Sequence, residues 1–329
     1  MILVTGGAGY IGSHVVRDLA DRGYSVVVLD NLSTGHIEAV DKRAIFIKGD
    51  AGDPRVLDRL FTMYSVKAVM HFAASCLVGE SVTQPLKYYQ NNVAATVCLL
   101  QKMVDHHIKN FIFSSTCATY GVPDQPIIHE NLPTNPINPY GNSKLMVETI
   151  VKNVSQTHDF NYIALRYFNV AGAHPSAEIG EDHNPETHLI PNILRHLQGK
   201  TPYIEIFGDD YETPDGTCIR DYIHVTDLSH GHILALEFLL QQQDPKTAEI
   251  FNLGNEQGVS VLEMIYLCEQ VTGAKANVKI QPRRKGDPPK LVASSQKIQN
   301  ALGWSPRYDI KAMIESAWKW HQQHPNGYR

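Results

Sequence analysis

The chain has 329 residues, of which 43% are hydrophobic and 19% are charged, so it is long enough to form one large or two closely joined domains. Its net charge of −5 excludes a strongly basic surface, and we therefore expect neither nucleic acid nor a membrane as a partner. A strand-like segment follows Met1 directly, and the five cysteines form no C-x-x-C pair. These features predict a cytoplasmic protein with reduced thiols and no membrane span.

Short apolar segments alternate with amphipathic segments in the first half of the chain. The apolar segments are rich in Val, Ile and Phe and are mostly apolar on both faces, which is typical of strands in a parallel sheet covered by helices. The predicted strands are residues 1–5, 25–30, 44–48, 68–72, 110–115 and 162–168. The predicted crossover helices are residues 13–22, 54–64, 92–106 and 141–158. This alternation predicts an α/β protein with a Rossmann-type doubly wound parallel sheet.

The alternation stops after about residue 172. Residues 173–187 are polar and loop-like, with Gly, Pro and His, whereas a strand-like segment at 219–225 could return the chain to the first domain. We therefore predict a first domain at 1–171, with a return of chain near 219–247, and a smaller C-terminal lobe formed mainly by 172–329.

A glycine-rich turn follows the first predicted strand and opens a helix. Gly6, Gly9 and Gly12 satisfy G-x-x-G-x-x-G, and Gly7, Gly9 and Gly12 satisfy the related G-x-G-x-x-G. Side chains at these positions would block the tight turn and the close approach of a pyrophosphate, while the helix start directs N–H groups at the phosphates. Because it lies between a strand and a helix, the turn predicts a dinucleotide-binding site, and we assign the first domain to that role.

Asp30 ends the second predicted strand, close to the spacing of about 20 residues expected for the acid that binds the adenosine ribose. A carboxylate there accepts hydrogen bonds from the ribose hydroxyls and repels a 2′-phosphate. No arginine stands beside it, so we predict NAD rather than NADP; the alternative is an Asp that only caps a turn or helix. The other residues expected at the cofactor lie at strand ends and at the helix start: Tyr10, Ile11, Asn31, Asp50, Ala51, Phe72, Ala73 and Ala74.

Tyr140 and Lys144 form a Y-x-x-x-K pair, which a helix places on one face. We expect the ammonium to lower the phenol pKa from about 10 towards the working pH, so that Tyr140 can take a proton from an alcohol as hydride leaves its carbon. Ser114 and Thr116 follow the fifth predicted strand, at the sheet edge where such folds bind ligands. These hydroxyls either contact the ligand or merely satisfy backbone groups where the strand ends.

With these motifs the chain resembles the extended short-chain dehydrogenase/reductase family, and more narrowly its bacterial UDP-glucose (UDP-galactose) 4-epimerases. The resemblance covers essentially the whole chain. Its most specific stretches are residues 5–14, 78–89, 110–121, 140–148, 166–175, 207–225, 283–287 and 318–328. It implies a reversible, redox-neutral epimerisation at C4 of UDP-glucose and UDP-galactose, through a 4-keto sugar and with tightly bound NAD.

The resemblance also implies roles for individual residues. Tyr140 is the implied base, and Lys144 is its electrostatic partner and a ligand of the nicotinamide ribose. Thr116 matches the contact to the sugar O4, and Asn91 and Phe168 match positions on the cofactor side. Positions that hold the uridine or the diphosphate are matched by Asn169, Leu189, Phe207, Arg220, Arg284 and Asp287.

Two positions differ from parts of the family. Cys76 stands where some members have a lysine near the pyrophosphate. Leu291 matches the position that gates the hexose C2 substituent, where a bulky Tyr goes with UDP-glucose and UDP-galactose alone and a small residue also admits N-acetylated sugars. Leucine is intermediate, so activity on UDP-GlcNAc and UDP-GalNAc stays open, as does the pathway served. The resemblance further implies a homodimer, with residues 92–106 and 141–158 pairing across the interface.

Three alternatives compete with an epimerase. A 4,6-dehydratase of nucleotide sugars needs Asp-Glu after the strand-five Thr, whereas Cys117 and Ala118 stand there. A non-catalytic nucleotide-binding protein would be expected to lose the Tyr-Lys pair, and both residues are present. A metal enzyme would draw on the 16 histidines, but His183 and His188 have no recognised ligand spacing, so we expect no metal.

Overall fold

The computed structural model describes residues 1–241, 247–284 and 287–328. Within them the strands are β1 (Ile2–Thr5), β2 (Val26–Asp30), β3 (Ile45–Lys48), β4 (Ala68–His71), β5 (Asn110–Thr116), β6 (Ile127–Ile128), β7 (Asn161–Tyr167), β8 (Asn169–Ala171), β9 (Ile204–Phe207), β10 (Ile219–His224), β11 (Ala248–Leu253), β12 (Gly258–Ser260), β13 (Val278–Gln281) and β14 (Lys290–Ala293). The helices of the same residues are α1 (Tyr10–Asp21), α2 (Pro54–Met63), α3 (Val78–Thr83), α4 (Pro85–Tyr88), α5 (Ala95–Asp105), α6 (Pro139–Thr157), α7 (Leu189–Leu197), α8 (Val225–Gln241), α9 (Val261–Thr272), α10 (Gln296–Leu302) and α11 (Ile310–Gln323). A π-helical segment, Tyr89–Ala94, joins α4 to α5.

Seven of the described strands form one parallel sheet in the order β11-β7-β5-β4-β1-β2-β3. All six strands predicted for the first half of the chain lie in it, which confirms the doubly wound α/β prediction. The chain leaves the centre of the sheet in both directions, so the order reverses between β1 and β4. At this switch point the connections diverge beyond the carboxyl ends of the two strands and leave a crevice in which such sheets bind ligands.

Helices cover both faces of this sheet. On one face α1 and α8 bury side chains such as Val15, Leu19 and Leu236. On the other face α2, α5 and α6 bury a second apolar cluster that includes Leu60 and Leu99. Each such side chain contributes about 1.5–3 kcal/mol when it is fully buried, so the two faces hold the sheet rigid beneath the crevice. In the part of the chain that the structure describes, no helix is long and apolar enough to cross a membrane.

The smaller lobe is built around β10. The first residues of β10 pair with β12 and β14, and its last residues pair with β8, which directly follows β7 of the large sheet. Helices α7, α9 and α11 pack together over a separate apolar core. The strand β10 therefore connects the large sheet to the lobe on the far side of the crevice.

The chain returns to the large sheet first as a helix within the expected range 219–247 and then as a strand just beyond it. The strand expected at 219–225 corresponds to β10, which lies in the smaller sheet instead. The following helix α8 packs against α1, and β11 then forms the edge of the large sheet beside β7. Residues 242–246 of the expected return fall outside the described residues. The division into domains at 171 and 172 stays a prediction.

Candidate active site

The glycine turn packs against the loop that follows β4. Gly6 has φ +73°, and a Cβ built on it would lie 2.5 Å from the backbone nitrogen of Ala73. A Cβ on Gly12 would lie 2.2 Å from the carbonyl oxygen of Gly6. Only glycine fits at these two positions: Gly6 lets the loop after β4 approach the turn, and Gly12 lets the start of α1 pack against Gly6.

Helix α1 begins at Tyr10 and faces the crevice with its N-terminus. Its N-cap, Gly9, has no side chain to accept from the first-turn N–H groups. The N–H groups around Ile11 and Gly12, together with the helix dipole, therefore suit a pyrophosphate. The phenol of Tyr10 turns towards the second lobe and donates to the carbonyl oxygen of Gly172 over 2.6 Å.

Asp30 is buried at the end of β2 and orients the glycine turn. One carboxylate oxygen accepts from the N–H of Ala8 at 3.0 Å, and the other accepts from the N–H of Leu32 at 2.8 Å. Each oxygen keeps a further lone pair for a ribose hydroxyl. The carboxylate thus suits the ribose of NAD, as expected, and it has a structural role as well.

Two further residues predicted at the cofactor, Asn31 and Asp50, also meet. Asn31 donates its side-chain amide to the carboxylate of Asp50 over 3.0 Å, and Asp50 accepts from the N–H of Gly52 at 2.7 Å. Ala51 is buried next to Asp50 and belongs to the apolar cluster that α2, α5 and α6 cover. The ends of β2 and β3 are therefore linked by side chains at the rim of the crevice.

A buried amide network, which the sequence analysis missed, fixes the loop after β4. Asn92 accepts from the N–H of Ser75 at 2.8 Å and donates to the Ser75 carbonyl and to the Ser143 hydroxyl, both at 3.0 Å. The expected cofactor residue Asn91 donates to the Ser75 hydroxyl at 3.2 Å. Asn92 thereby ties the segment after Phe72, Ala73 and Ala74 to helix α6. The only sequence signal was the Asn-Asn pair itself.

Helix α6 presents Tyr140 and Lys144 to the carboxyl end of β5. Its N-cap residue, Asn138, accepts from the N–H of Gly141 at 2.8 Å, and Pro139 occupies the first helical position. Lys144 is buried and donates to the carbonyl oxygen of Ser114 over 2.8 Å. The helix start thus brings the Y-x-x-x-K pair to the strand-five hydroxyls, as expected.

Burial dominates the titration of this pair. Burial raises the pKa of the Tyr140 phenol well above its ordinary value, and a hydrogen bond with Thr116 offsets part of that rise. Burial also lowers the pKa of Lys144 to about 8, which the carboxylate of Glu148 partly opposes. Desolvation of the buried phenol thus dominates its pKa, and the lowering expected from the Lys144 ammonium stays a prediction.

The strand-five hydroxyls have different surroundings. Ser114 shares a hydrogen bond of 2.9 Å with the phenol of Tyr167, and its carbonyl holds Lys144. Thr116 accepts from the N–H of Ala118 at 3.2 Å, so the hydroxyl also satisfies a backbone group where the strand ends. The same hydroxyl also forms a hydrogen bond with the Tyr140 phenol, so a ligand oxygen at this point would meet both groups.

A buried ion pair locks α6 against the large sheet. Arg166 on β7 donates to both carboxylate oxygens of Glu148, at 2.9 and 2.5 Å, and Ser115 on β5 donates to the same carboxylate at 2.5 Å. Both charged side chains are almost completely buried. The sequence does not predict this pair, because nothing in the spacing of residues 148 and 166 shows that they meet.

The residues expected to hold the uridine lie on the second lobe. Asn169 at the start of β8 and Leu189 at the start of α7 line one small cavity together with Tyr222 of β10. Arg220 forms an ion pair with Asp287, and the guanidinium of Arg284 lies 3.9 Å from the centre of the Phe207 ring. These last four residues form a rim at which two cations can meet a diphosphate.

Leu291 lies between Arg220 on the second lobe and the apolar cluster that contains Phe168. It stands beside Arg220 in the pairing of β14 with β10, and it packs on the apolar cluster that contains Phe168 and Tyr120. The side chain is therefore held by packing on one side while it remains partly exposed on the other. Cys76, which stands where some family members have a lysine, is an exposed free thiol.

The model of one protein family matches residues 2–254, which is most of the chain: the NAD dependent epimerase/dehydratase family. The chain belongs to this family. A UDP-glucose 4-epimerase of Halalkalibacterium halodurans is 52% identical to it over 328 residues, which cover 99% of this chain and 97% of that protein. The NAD-dependent epimerase class expected from the sequence is thereby confirmed.

Solved structures agree with this assignment. The UDP-glucose 4-epimerase of Brucella ovis, in complex with NAD, superposes with a TM-score of 0.93 at 46% identity and covers 97% of both chains. The UDP-Glc/GlcNAc 4-epimerase of Campylobacter jejuni superposes with a TM-score of 0.85 at 42% identity, over 98% of this chain and 99% of that one. NAD is thus the cofactor of this family member, whereas its placement in the crevice and the roles of individual residues stay predictions.

Asn92 offers a test of how the loop after β4 supports the cofactor. Asn92→Ala removes the hydrogen bonds to the N–H and carbonyl of Ser75 and to the hydroxyl of Ser143, which keeps only its bond to the Tyr140 carbonyl. At about 1 kcal/mol per hydrogen bond, we expect the free energy of unfolding to fall by about 2–4 kcal/mol in urea, and retained NAD to fall after gel filtration. The control is Asn153→Ala, at an exposed position of helix α6. It should change neither the free energy of unfolding nor the amount of retained NAD. Full NAD retention in Asn92→Ala would contradict the positioning role.

Proposed function

We propose that this protein interconverts UDP-glucose and UDP-galactose by epimerisation at C4, with tightly bound NAD. One observation carries the proposal: an intact Tyr140 and Lys144 stand beside Thr116 at the mouth of the NAD crevice, facing a lobe that carries Arg220 and Arg284. A UDP-hexose requires both a group that can take a proton from a sugar hydroxyl and cations that can bind its diphosphate. We assign the first domain, residues 1–171 with α8 and β11, to NAD, and the remainder mainly to the UDP-sugar.

The reaction is redox-neutral. Bound NAD, held by the glycine turn and Asp30, would supply a positive charge and a reversible acceptor for the C4 hydride. Tyr140 accepts the proton of the C4 hydroxyl and later gives it back, while Lys144 stabilises the phenolate and Thr116 donates to the sugar oxygen. Burial raises the pKa of the Tyr140 phenol. The positive charges of Lys144 and bound NAD must therefore stabilise the phenolate and offset the effect of burial.

The second lobe is assigned to the part of the substrate that does not react. Arg220 and Arg284 neutralise the diphosphate, and Asn169 and Leu189 hold the uridine. Binding energy from this remote part retains the 4-keto sugar while the hexose turns over and presents its other face. The sugar itself needs few contacts, which is consistent with the apolar cluster around Phe168 and Leu291.

A dehydratase is disfavoured by the residues after Thr116. Cys117 begins a short 3₁₀ turn, and burial raises the pKa of its thiol to about 12. A thiol of that pKa is a poor acid for expelling a hydroxyl as water, and Ala118 offers no proton. The site therefore supports proton removal at C4 better than elimination across two carbons.

The first experiment is an assay of the purified protein with UDP-galactose and no added cofactor. We expect UDP-glucose to form without net release of NADH, and Tyr140→Phe to lower turnover by about 10²–10⁴-fold, since that is the usual contribution of general acid–base catalysis. Substrate affinity should stay within about threefold, because the uridine and diphosphate contacts are unchanged. Tyr266→Phe, at an exposed phenol on α9, is the control. A 4-keto product, or near-normal turnover of Tyr140→Phe, would refute the assignment.

We further propose that Leu291 limits the size of the C2 substituent and leaves some activity on UDP-GlcNAc and UDP-GalNAc. Its partly exposed side chain stands next to Arg220, on the side of the crevice assigned to the sugar. Leu291→Tyr adds bulk there, so N-acetylhexosamine turnover should fall about tenfold more than hexose turnover, which corresponds to about 1.4 kcal/mol. Steady-state rates on both sugar types in the same variant give the ratio. Equal losses would contradict the gate.

A homodimer is proposed from the surfaces of α5 and α6. Val97 on α5 and Met146 on α6 are large apolar side chains with 44% and 40% of their surface exposed. Two helices from each of two copies would bury them as a four-helix contact. Sedimentation equilibrium should give twice the mass of one chain, and a single-chain mass at micromolar concentration would contradict the dimer. We place this dimer in the cytoplasm, where its five free cysteines stay reduced.

A further inference from the structure

Four side chains outside the proposed catalytic site converge in the segment between β8 and α7. Glu181, His183, Glu186 and His188 each direct one possible metal-binding atom inward, and these atoms lie within 4.8 Å of one another. Glu181 is 4% exposed. The spacing of these residues matches no common motif because all four come from one irregular loop, so the grouping emerges only in the folded chain.

The separations between the histidine nitrogens and the carboxylate oxygens are close to those of a tetrahedral ion. A four-coordinate Zn²⁺ with bonds of about 2.0–2.2 Å holds its ligand atoms about 3.4 Å apart. Nδ1 of His183 lies 3.3 Å from Oε1 of Glu181 and 3.7 Å from Oε2 of Glu186. Nδ1 of His188 lies 3.3 Å from Oε1 of Glu186 and 2.7 Å from Oε1 of Glu181, and this shortest pair would have to open around an ion.

The hydrogen bonding of the cluster is incomplete. Within the described residues, Oε1 of Glu181 and Nδ1 of His183 are buried and make ion-pair contacts, but neither has a hydrogen bond of good geometry. A buried polar group without a partner costs about 1–3 kcal/mol. The Glu186 carboxylate, by contrast, is oriented by the N–H groups of Thr187 and His188, at 2.8 Å each. A cation between the four would satisfy Oε1 of Glu181 and Nδ1 of His183 and use a carboxylate that is already aligned.

We propose that Glu181, His183, Glu186 and His188 bind one divalent transition-metal ion, with Zn²⁺ as the best fit. Two imidazoles with two carboxylates suit Zn²⁺, whereas Mg²⁺ and Ca²⁺ take oxygen ligands. The two carboxylates balance the charge of the ion. Four protein ligands leave no open position, so the site is structural and takes no part in the sugar chemistry.

The position of the ion gives it a role in both nucleotide sites. His188 is the N-cap of α7 and directly precedes Leu189, which is assigned to the uridine. The ring of His183 meets the ring of Tyr10 edge-on at 6.2 Å, at the start of α1 on the cofactor side. An ion at this point fixes the loop between the two lobes, which goes beyond the proposed epimerase function.

The test measures metal rather than activity. The untagged protein with its NAD is dialysed against Zn²⁺ and then against buffer, and its metal content is measured by mass spectrometry. We expect about one Zn²⁺ per chain, and Co²⁺ in its place should give the visible absorption of a four-coordinate ion. His183→Gln should weaken Zn²⁺ binding by about 100-fold or more, since even a lost second-shell partner costs about 10–100-fold. His158→Gln, at an exposed position beyond α6, should bind like the wild type.

Chelation supplies a second readout that needs no variant. Removal of the ion by 1,10-phenanthroline should lower Tm, and added Zn²⁺ should restore it. Equal Zn²⁺ affinity of His183→Gln and the wild type, or a wild-type chain without stoichiometric metal, would overturn the proposal and leave the cluster as a hydrogen-bonded ion network. Because no arm of the test depends on sugar turnover, its failure is distinguishable from failure of the epimerase assignment.

Discussion

The buried ion pair between Glu148 and Arg166 sets the geometry on which the candidate active site depends. It joins α6 to β7, and Ser115 extends it to β5. A buried pair of this kind adds little net stability, but removal of one partner costs about 3–5 kcal/mol because a charge is left unpaired. Tyr140 lies about two helical turns before Glu148, so a helix anchored at Glu148 cannot slide or rotate without moving the phenol away from Thr116.

The same helix is held at its start by weaker but more numerous contacts. Lys144 reaches the carbonyl of Ser114, and Ser143 reaches the amide of Asn92, which also fixes the loop beside the glycine turn. The proposed cofactor site and the proposed catalytic pair are therefore parts of one hydrogen-bonded unit. A change in either part should be felt in the other without any large movement of the backbone.

The features that could be predicted from the sequence depend on local physical constraints. Strands buried on both faces have apolar runs, the close approach at Gly6 and Gly12 excludes any side chain, and Asp30 ends its strand at the required point. Partners that are distant in sequence have no such signature. Asn92 and Ser75, or Glu148 and Arg166, are ordinary polar residues until the sheet brings them together. The edge strand β11 was missed for a similar reason, since its first half is not buried and its place follows from packing of α8 on α1.

The ion pair on the second lobe bears on how a diphosphate can bind. Arg220 already contacts Asp287 and the carbonyl of Ile219, yet a guanidinium has five donors, so it can meet a phosphate without giving up both contacts. Arg284 is exposed, and its guanidinium lies over the Phe207 ring. The ring positions the side chain, while the exposed guanidinium can still reorient towards a phosphate. One arginine is thus preorganised and the other adaptable. This division suits a ligand whose diphosphate must stay fixed while the sugar beyond it rotates.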